Sequence, residues 1–120
     1  MAEISFEEMA FPDAEPVQGY GPGFTRIGGE VFRGPILARA SGVRPWGGFE
    51  DTATLIAGAK DLDVVFVGTG AEMRPLPAAF RAAMEAGGVP VEPMTTPSAC
   101  RTYNVLLSEE RLVGLALIPV

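Results

Sequence analysis

From Leu62 to Gly70 the chain reads Leu-Asp-Val-Val-Phe-Val-Gly-Thr-Gly, and no other stretch constrains the fold as much. Val64, Val65, Phe66 and Val67 run together without a polar interruption, between Asp61 and Asp63 on one side and Gly68 on the other. A strand with one wet face alternates apolar and polar residues. An unbroken apolar run predicts a strand buried on both faces, and therefore central in its sheet. Gly68, Thr69 and Gly70 then turn the chain. Beyond Pro75 the pattern changes to the helical period, with Leu76, Ala79, Phe80, Ala83, Met84 and Gly87 on one stripe and Gly87-Gly88 as the stop. Strand, glycine turn and helix form one unit, and such turns are where α/β folds place binding sites.

The rest of the chain is arranged around this unit. Residues 1–16 carry five carboxylates and two prolines, which predicts an irregular N-terminal arm, partly docked through Ile4, Phe6, Met9 and Phe11. Val17 to Phe32 reads as a hairpin of two alternating segments around Gly28-Gly29. After Gly34-Pro35 a third strand begins at Ile36 and continues through Val43 to Pro45-Trp46. Asp51 is suited to cap a short helix with Leu55, Ile56 and Ala59 inward. Val89 to Val91 reads as a short strand ending at Pro93. Thr96-Pro97 then reads as a helix start, with a capping hydroxyl and proline at the first helical position. The segment it opens carries Ala99, Tyr103, Leu106 and Leu107 on one stripe, and Arg111 to Pro119 is a last strand, placed beside the Leu62 strand. Strands alternating with helices predict an α/β fold with a mostly parallel sheet, the early hairpin lying at an edge or as a separate layer.

Bulk properties bound the function. The 120 residues fit one domain, long enough to bury roughly two thirds of the unfolded surface. The formal net charge of −6, with 15 acidic residues against nine basic ones, argues against a nucleic-acid partner. The absence of histidine removes every His-based triad, the commonest general base and the commonest zinc ligand. A single cysteine, Cys100, excludes an internal disulfide. The acidic N-terminus is unlike a presequence, and the apolar run from Leu112 to Val120 is about half of what a bilayer requires, so a cytoplasmic protein without stable membrane insertion is expected.

Candidate chemistry is sparse. The Gly68-Thr69-Gly70 turn begins a dinucleotide fingerprint, but Met73 stands where the third glycine belongs. A smaller anion held by the Thr69 and Gly70 amides with Arg74 fits better. Thr96, Arg101 and Asn104 make a polar cluster at the last helix start; they serve either a ligand or the fold, with Thr96 as cap, Arg101 paired to a carboxylate such as Glu92, and Asn104 tying backbone groups. The candidate ligand site is thus Gly68, Thr69, Gly70, Arg74, Thr96, Arg101 and Asn104. Cys100, one turn into that helix, lacks a histidine to activate it. Trp46 is either a partner-binding aromatic or a cover on the core. No catalytic residues, cofactor or metal site emerge, and the reading favours a non-enzyme.

One combination of motifs is more specific. Gly68 and Gly70 end a strand, Met94, Thr96 and Ala99 lead to Thr102-Tyr103-Asn104, and Leu115-Ala116-Leu117 lies in the last strand. Earlier stand Gly19-Tyr20-Gly21 and Pro45-Trp46. Over nearly the whole chain this resembles a domain-of-unknown-function family of small α/β proteins that includes the mitochondrial NADH:ubiquinone oxidoreductase complex assembly factor three. The resemblance implies a three-layer single domain with a mixed central sheet and an additional β hairpin layer. It implies protein partners, respiratory complex subunits or other assembly factors among them, and brings no catalytic residue. The alternative is a small-molecule or anion-binding protein with its site between the Gly68–Gly70 turn and the Thr96 helix start. Self-association into a homo-oligomer is left open.

Overall fold

In the computed structural model, residues 9–120 are described. The Leu62 run becomes β7 (Val64–Gly68), and it lies inside the sheet though one strand from its edge rather than at the centre: β9 (Val113–Leu117) lies parallel on one side and the edge strand β8 (Val91–Met94) parallel on the other. Every residue of β9 is buried, as its apolar sequence requires. Beyond β9 the sheet turns antiparallel through β5 (Ile36–Arg39), β6 (Gly42–Pro45) and β1 (Met9–Ala10), giving the order β1-β6-β5-β9-β7-β8. The central sheet is therefore mixed, with its parallel part confined to β9, β7 and β8. The segment expected as one strand from Ile36 to Pro45 is a hairpin turning at Ala40-Ser41, and a hairpin can only be antiparallel.

The early hairpin is also more elaborate than expected. Three strands, β2 (Val17–Gly21), β3 (Phe24–Ile27) and β4 (Glu30–Arg33), form a separate antiparallel sheet. The turn at Gly28-Gly29 is the one expected, with φ of 60° and 80° at its two glycines, as a primed hairpin turn demands. The other turn is Pro22-Gly23, with Gly23 at φ 76°. Proline before a glycine of positive φ is a type II pattern. Part of the N-terminal arm is regular too: β1 pairs with β6, and Phe11 N donates to Ser41 O at 2.8 Å. Gly42 admits this strand, because a Cβ there would meet the Met9 carbonyl. The expected docking of Ile4 and Phe6 lies outside the described residues.

Strand alternation divides the core between the two faces of the sheet. Phe66, Val113, Leu115, Leu117, Ile36 and Ala38 face α3 (Thr96–Ser108) and the small sheet, where Ala99, Tyr103, Leu107, Ile27 and Phe32 meet them. Val65, Val67, Leu37 and Ala116 face α1 (Thr52–Gly58) and α2 (Ala78–Ala86), against Leu55, Phe80, Met84 and Trp46. The result is three layers, with α3 and the three-stranded sheet on one face and α1 and α2 on the other. Asp51 caps α1 as expected, accepting from Thr54 N. The stop at Gly87-Gly88 is a Schellman motif: Val89 N donates to Met84 O, Gly88 N to Glu85 O, and Gly88 has φ 71°. Those bonds hold Val89 to the helix end, so β8 begins at Val91 rather than Val89. Pro93 is tolerated within β8 because Pro90 and Met94 turn their carbonyls to β7, which leaves the Pro93 nitrogen at the open edge where no donor is needed. No helix among the described residues is long and apolar enough to cross a membrane.

Candidate functional site

β7 leads into α2 on one face of the sheet, and β8 leads into α3 on the other. The C-terminal ends of these adjacent strands are therefore a topological switch point, the place where open α/β sheets leave a crevice for ligands. The expected site lies here, at the Gly68–Gly70 turn and the start of α3. In this protein the crevice is closed by the protein's own hydrogen bonds. Thr69 N donates to Met94 O at 2.9 Å. Gly70 N donates to Thr96 Oγ1 at 2.9 Å, and Thr96 N donates back to Gly70 O at 2.8 Å. The Thr96 hydroxyl donates in turn to Ile118 O at 2.6 Å, and Ile118 N donates to Gly68 O at 2.9 Å. The ends of β7, β8 and β9 are thus tied together around one threonine that is wholly buried.

This geometry requires Gly68. A Cβ there would lie 2.7 Å from Thr96 Oγ1 and 3.0 Å from Thr96 Cα, so any larger residue would push α3 off the strand end. Thr69 is 7% exposed, and its hydroxyl shapes the following loop, donating to Glu72 O at 2.7 Å and accepting from Arg74 N at 3.1 Å.

The helix start moves by one residue from the expectation. Thr95, not Thr96, is the N-cap, its hydroxyl accepting from Ser98 N at 3.3 Å, because the Thr96 hydroxyl is committed to the strand ends. Pro97 has no N–H, the Thr96 and Ser98 amides are taken, and Ala99 N donates to Thr95 O. The first turn of α3 therefore has no donor left for an anion, the feature that makes most helix starts attractive to one. The Thr69 and Gly70 amides, expected to hold an anion, are likewise occupied.

The remaining candidates are dispersed. Arg74 points into solvent, its side chain 70% exposed, 3.6 Å from Glu72 Oε1. Arg101 is exposed and reaches Ser98 Oγ at 3.4 Å rather than Glu92. Asn104 is structural over a long range. Its Oδ1 accepts from Val17 N at 2.8 Å and its Nδ2 donates to Val17 O at 2.9 Å, which fastens β2 to α3. Trp46 is 3% exposed, stacks edge-on with Phe49 at 5.8 Å, and donates from Nε1 to Asp51 O, so it is part of the core and presents no face to a partner. Cys100 is buried, and desolvation pushes its thiol up to about 11, the reverse of an activated nucleophile. Burial also raises the Tyr103 phenol well above its ordinary value, with Arg39 opposing, and its hydroxyl has no hydrogen-bond partner among the described residues.

Two clefts open beside α2. One, of about 730 Å³, lies between α2 and the open edge of β8 and is lined by Leu76, Met84, Val91 and Pro93. The other, of about 750 Å³, lies between α2 and the Gly47–Glu50 turn. Neither includes any of the seven expected ligand residues. Among the described residues no group of His, Cys, Asp or Glu side chains is arranged to hold a metal ion. The roles of Ile118 and Val17 had no signal in the sequence, since each enters through its backbone.

These features define a small mixed α/β domain whose switch point is filled by structure. The chain belongs to the family of proteins of unknown function DUF498/DUF598, whose sequence model matches residues 17–118. It is 50% identical to an uncharacterised protein of Rhodobacter capsulatus over 94% of this chain and 91% of that one. It is 35% identical to the mouse NADH dehydrogenase [ubiquinone] 1 alpha subcomplex assembly factor 3, over 97% of this chain and 66% of that protein. The chain thus spans just under two thirds of the mouse factor. Among solved structures it is similar to one described as an outer membrane protein of Bartonella henselae, with a TM-score of 0.79 and 32% identity over 92% of this chain and 98% of that one.

Proposed function

We propose that this chain is a non-enzymatic interaction protein that assists the assembly of a respiratory membrane complex from the cytoplasmic side. The observation that carries the reading is the 35% identity, over 97% of the chain, to a protein named as an assembly factor for the NADH dehydrogenase complex. The geometry of the switch point agrees with it. Where α/β domains that bind ligands at the switch point keep free amides, this chain spends them on Thr96, Met94 and Gly70. A domain of this kind offers partners surfaces rather than a pocket at the strand ends.

Deletion of the gene in the native host is the test. Membranes solubilised gently and resolved by native electrophoresis should show less of the assembled NADH-oxidising complex, with smaller subcomplexes accumulating, and a plasmid copy should restore it. Normal amounts of fully assembled complex in the deletion strain would overturn the proposal.

A further inference from the structure

The outer face of the three-stranded sheet is a basic and apolar surface on an acidic protein. Strand pairing places Gly21, Phe24 and Arg33 in one cross-strand row and Gly19, Arg26 and Val31 in the next. Thr25, Ile27 and Phe32 are buried on the inner side, so the alternate residues Phe24, Arg26, Val31 and Arg33 turn outward. Both arginines are exposed and Val31 is 37% exposed. No ion pair or hydrogen bond engages either guanidinium among the described residues, and neither row contains a carboxylate. In a chain of formal net charge −6 this is a local inversion of sign.

The pattern is a checkerboard, with Phe24 beside Arg33 and Val31 beside Arg26. The two arginines are diagonal neighbours on adjacent strands, about 7–8 Å apart at their backbones. Alternate residues of an extended strand project on one side about 7 Å apart. The backbone spacing of the two arginines therefore equals that of two carboxylates at alternate positions of an extended chain, and each guanidinium can offer a carboxylate a forked pair of charge-assisted hydrogen bonds. β2 contributes Gly19 and Gly21 to these two rows. The Phe24 ring lies over Gly21, where a Cβ would be 2.5 Å from the ring edge, so a side chain at that position would displace the ring. Arginine and aromatic side chains are also residue types enriched at interfaces.

We propose that this face docks an extended acidic segment of a partner protein, with carboxylates at alternate positions meeting Arg26 and Arg33. The proposal rests on the interaction-protein reading above and assigns it a surface and a partner chemistry.

Photo-cross-linking tests it. Val31→p-benzoylphenylalanine, in the full chain expressed in its native host, is irradiated, and the attached peptide is identified by mass spectrometry. The expected adduct is a segment of a second protein with Asp or Glu at two alternate positions. Arg26→Glu/Arg33→Glu should cut its yield at least tenfold without changing the melting temperature. If that pair fails to fold, the single variants Arg26→Gln and Arg33→Gln should each cut the yield about threefold. An adduct to lipid, to a second copy of this chain or to a segment without paired carboxylates would overturn the proposal, as would a yield indifferent to the arginines. Affinity purification of the wild-type chain separates the two readings. Retained complex subunits with no adduct at Val31 remove this surface alone, whereas no retained partner together with normal complex assembly in the deletion strain removes both.

Discussion

Gly70 and Thr96 hold each other by two hydrogen bonds, the Gly70 amide donating to Thr96 Oγ1 at 2.9 Å and the Thr96 amide donating to the Gly70 carbonyl at 2.8 Å. The pair spans the crevice between two parallel strands, and the same hydroxyl reaches on to Ile118 O in β9. Thr96→Val keeps the shape and removes the hydroxyl, which leaves a donor at Gly70 and an acceptor at Ile118 without that partner in a buried setting. The expected cost is about 2–4 kcal/mol by denaturant unfolding, near the sum of two such losses. Thr96→Ser, which keeps the oxygen, should recover most of it. Equal stability of the valine variant and wild type would mean that the strand ends are not held this way.

Gly68→Ala tests the close approach itself. The added methyl would meet backbone as well as the Thr96 hydroxyl, at 3.0 Å and 2.7 Å, so trimming the threonine side chain cannot make room. A destabilisation of about 1–3 kcal/mol is expected, as for overpacked cores. Combining it with Thr96→Ala should not rescue stability, and full rescue would locate the clash in the side chain alone.

The parts of the fold that were legible in the sequence are those whose signal is local. The Val64–Val67 run, the Phe80/Met84 stripe, the Asp51 cap and the Gly28-Gly29 turn each follow from neighbours within one turn or strand. Long-range placement was not legible. Pro22-Gly23 is as good a turn signal as Gly28-Gly29, yet two strands of four or five residues merge easily into one alternating segment when only the second turn is counted. Thr95 and Thr96 are equally good caps by type. What separates them is that Thr96 meets Gly70, 26 residues earlier, and Ile118, 22 residues later. Trp46 and Asn104 carry the same lesson. Residue types enriched at interfaces and sites are here spent on Asp51 and Val17, partners that the chain brings near only on folding.

Asp51 gives a prediction in pH. Its carboxylate accepts from Gly47 N at 2.9 Å and Thr54 N at 3.2 Å at the head of α1. The hydrogen bond with the Thr54 side chain is the largest cause of a pKa below the ordinary carboxylate value; burial opposes it, and the Gly47 and Thr54 amides add to the lowering. A carboxylate with a depressed folded-state pKa contributes stability that is present above its unfolded value, about 3.9, and is lost as pH falls through the folded value. Asp51→Asn retains a capping oxygen and should remove that part of the acid sensitivity at small cost near neutral pH. Asp51→Ala should lose about 1 kcal/mol there. Urea titrations at pH 7 and near pH 3 check both, and an asparagine variant with an unchanged acid slope would contradict the assignment.

Cys100 gives the opposite sign. Burial holds its thiol up to about 11, and the residue is only 3% exposed among Ala99, Tyr103 and Leu107 on the inner side of α3. At pH 8 an ordinary cysteine with a pKa of about 8.5 is partly thiolate. This one is protonated and screened, so a soluble disulfide reagent should modify the native protein at least about 100-fold more slowly than the unfolded chain. A group whose folded-state pKa is raised contributes stability fully present below its unfolded value and lost as pH rises toward the folded one, so the alkaline limb of the stability profile should steepen above about pH 8.5. Cys100→Ala should flatten that limb while lowering stability at pH 7 through the space it leaves. Rapid, stoichiometric modification of the folded protein would place the thiol in solvent and return it to consideration as a nucleophile.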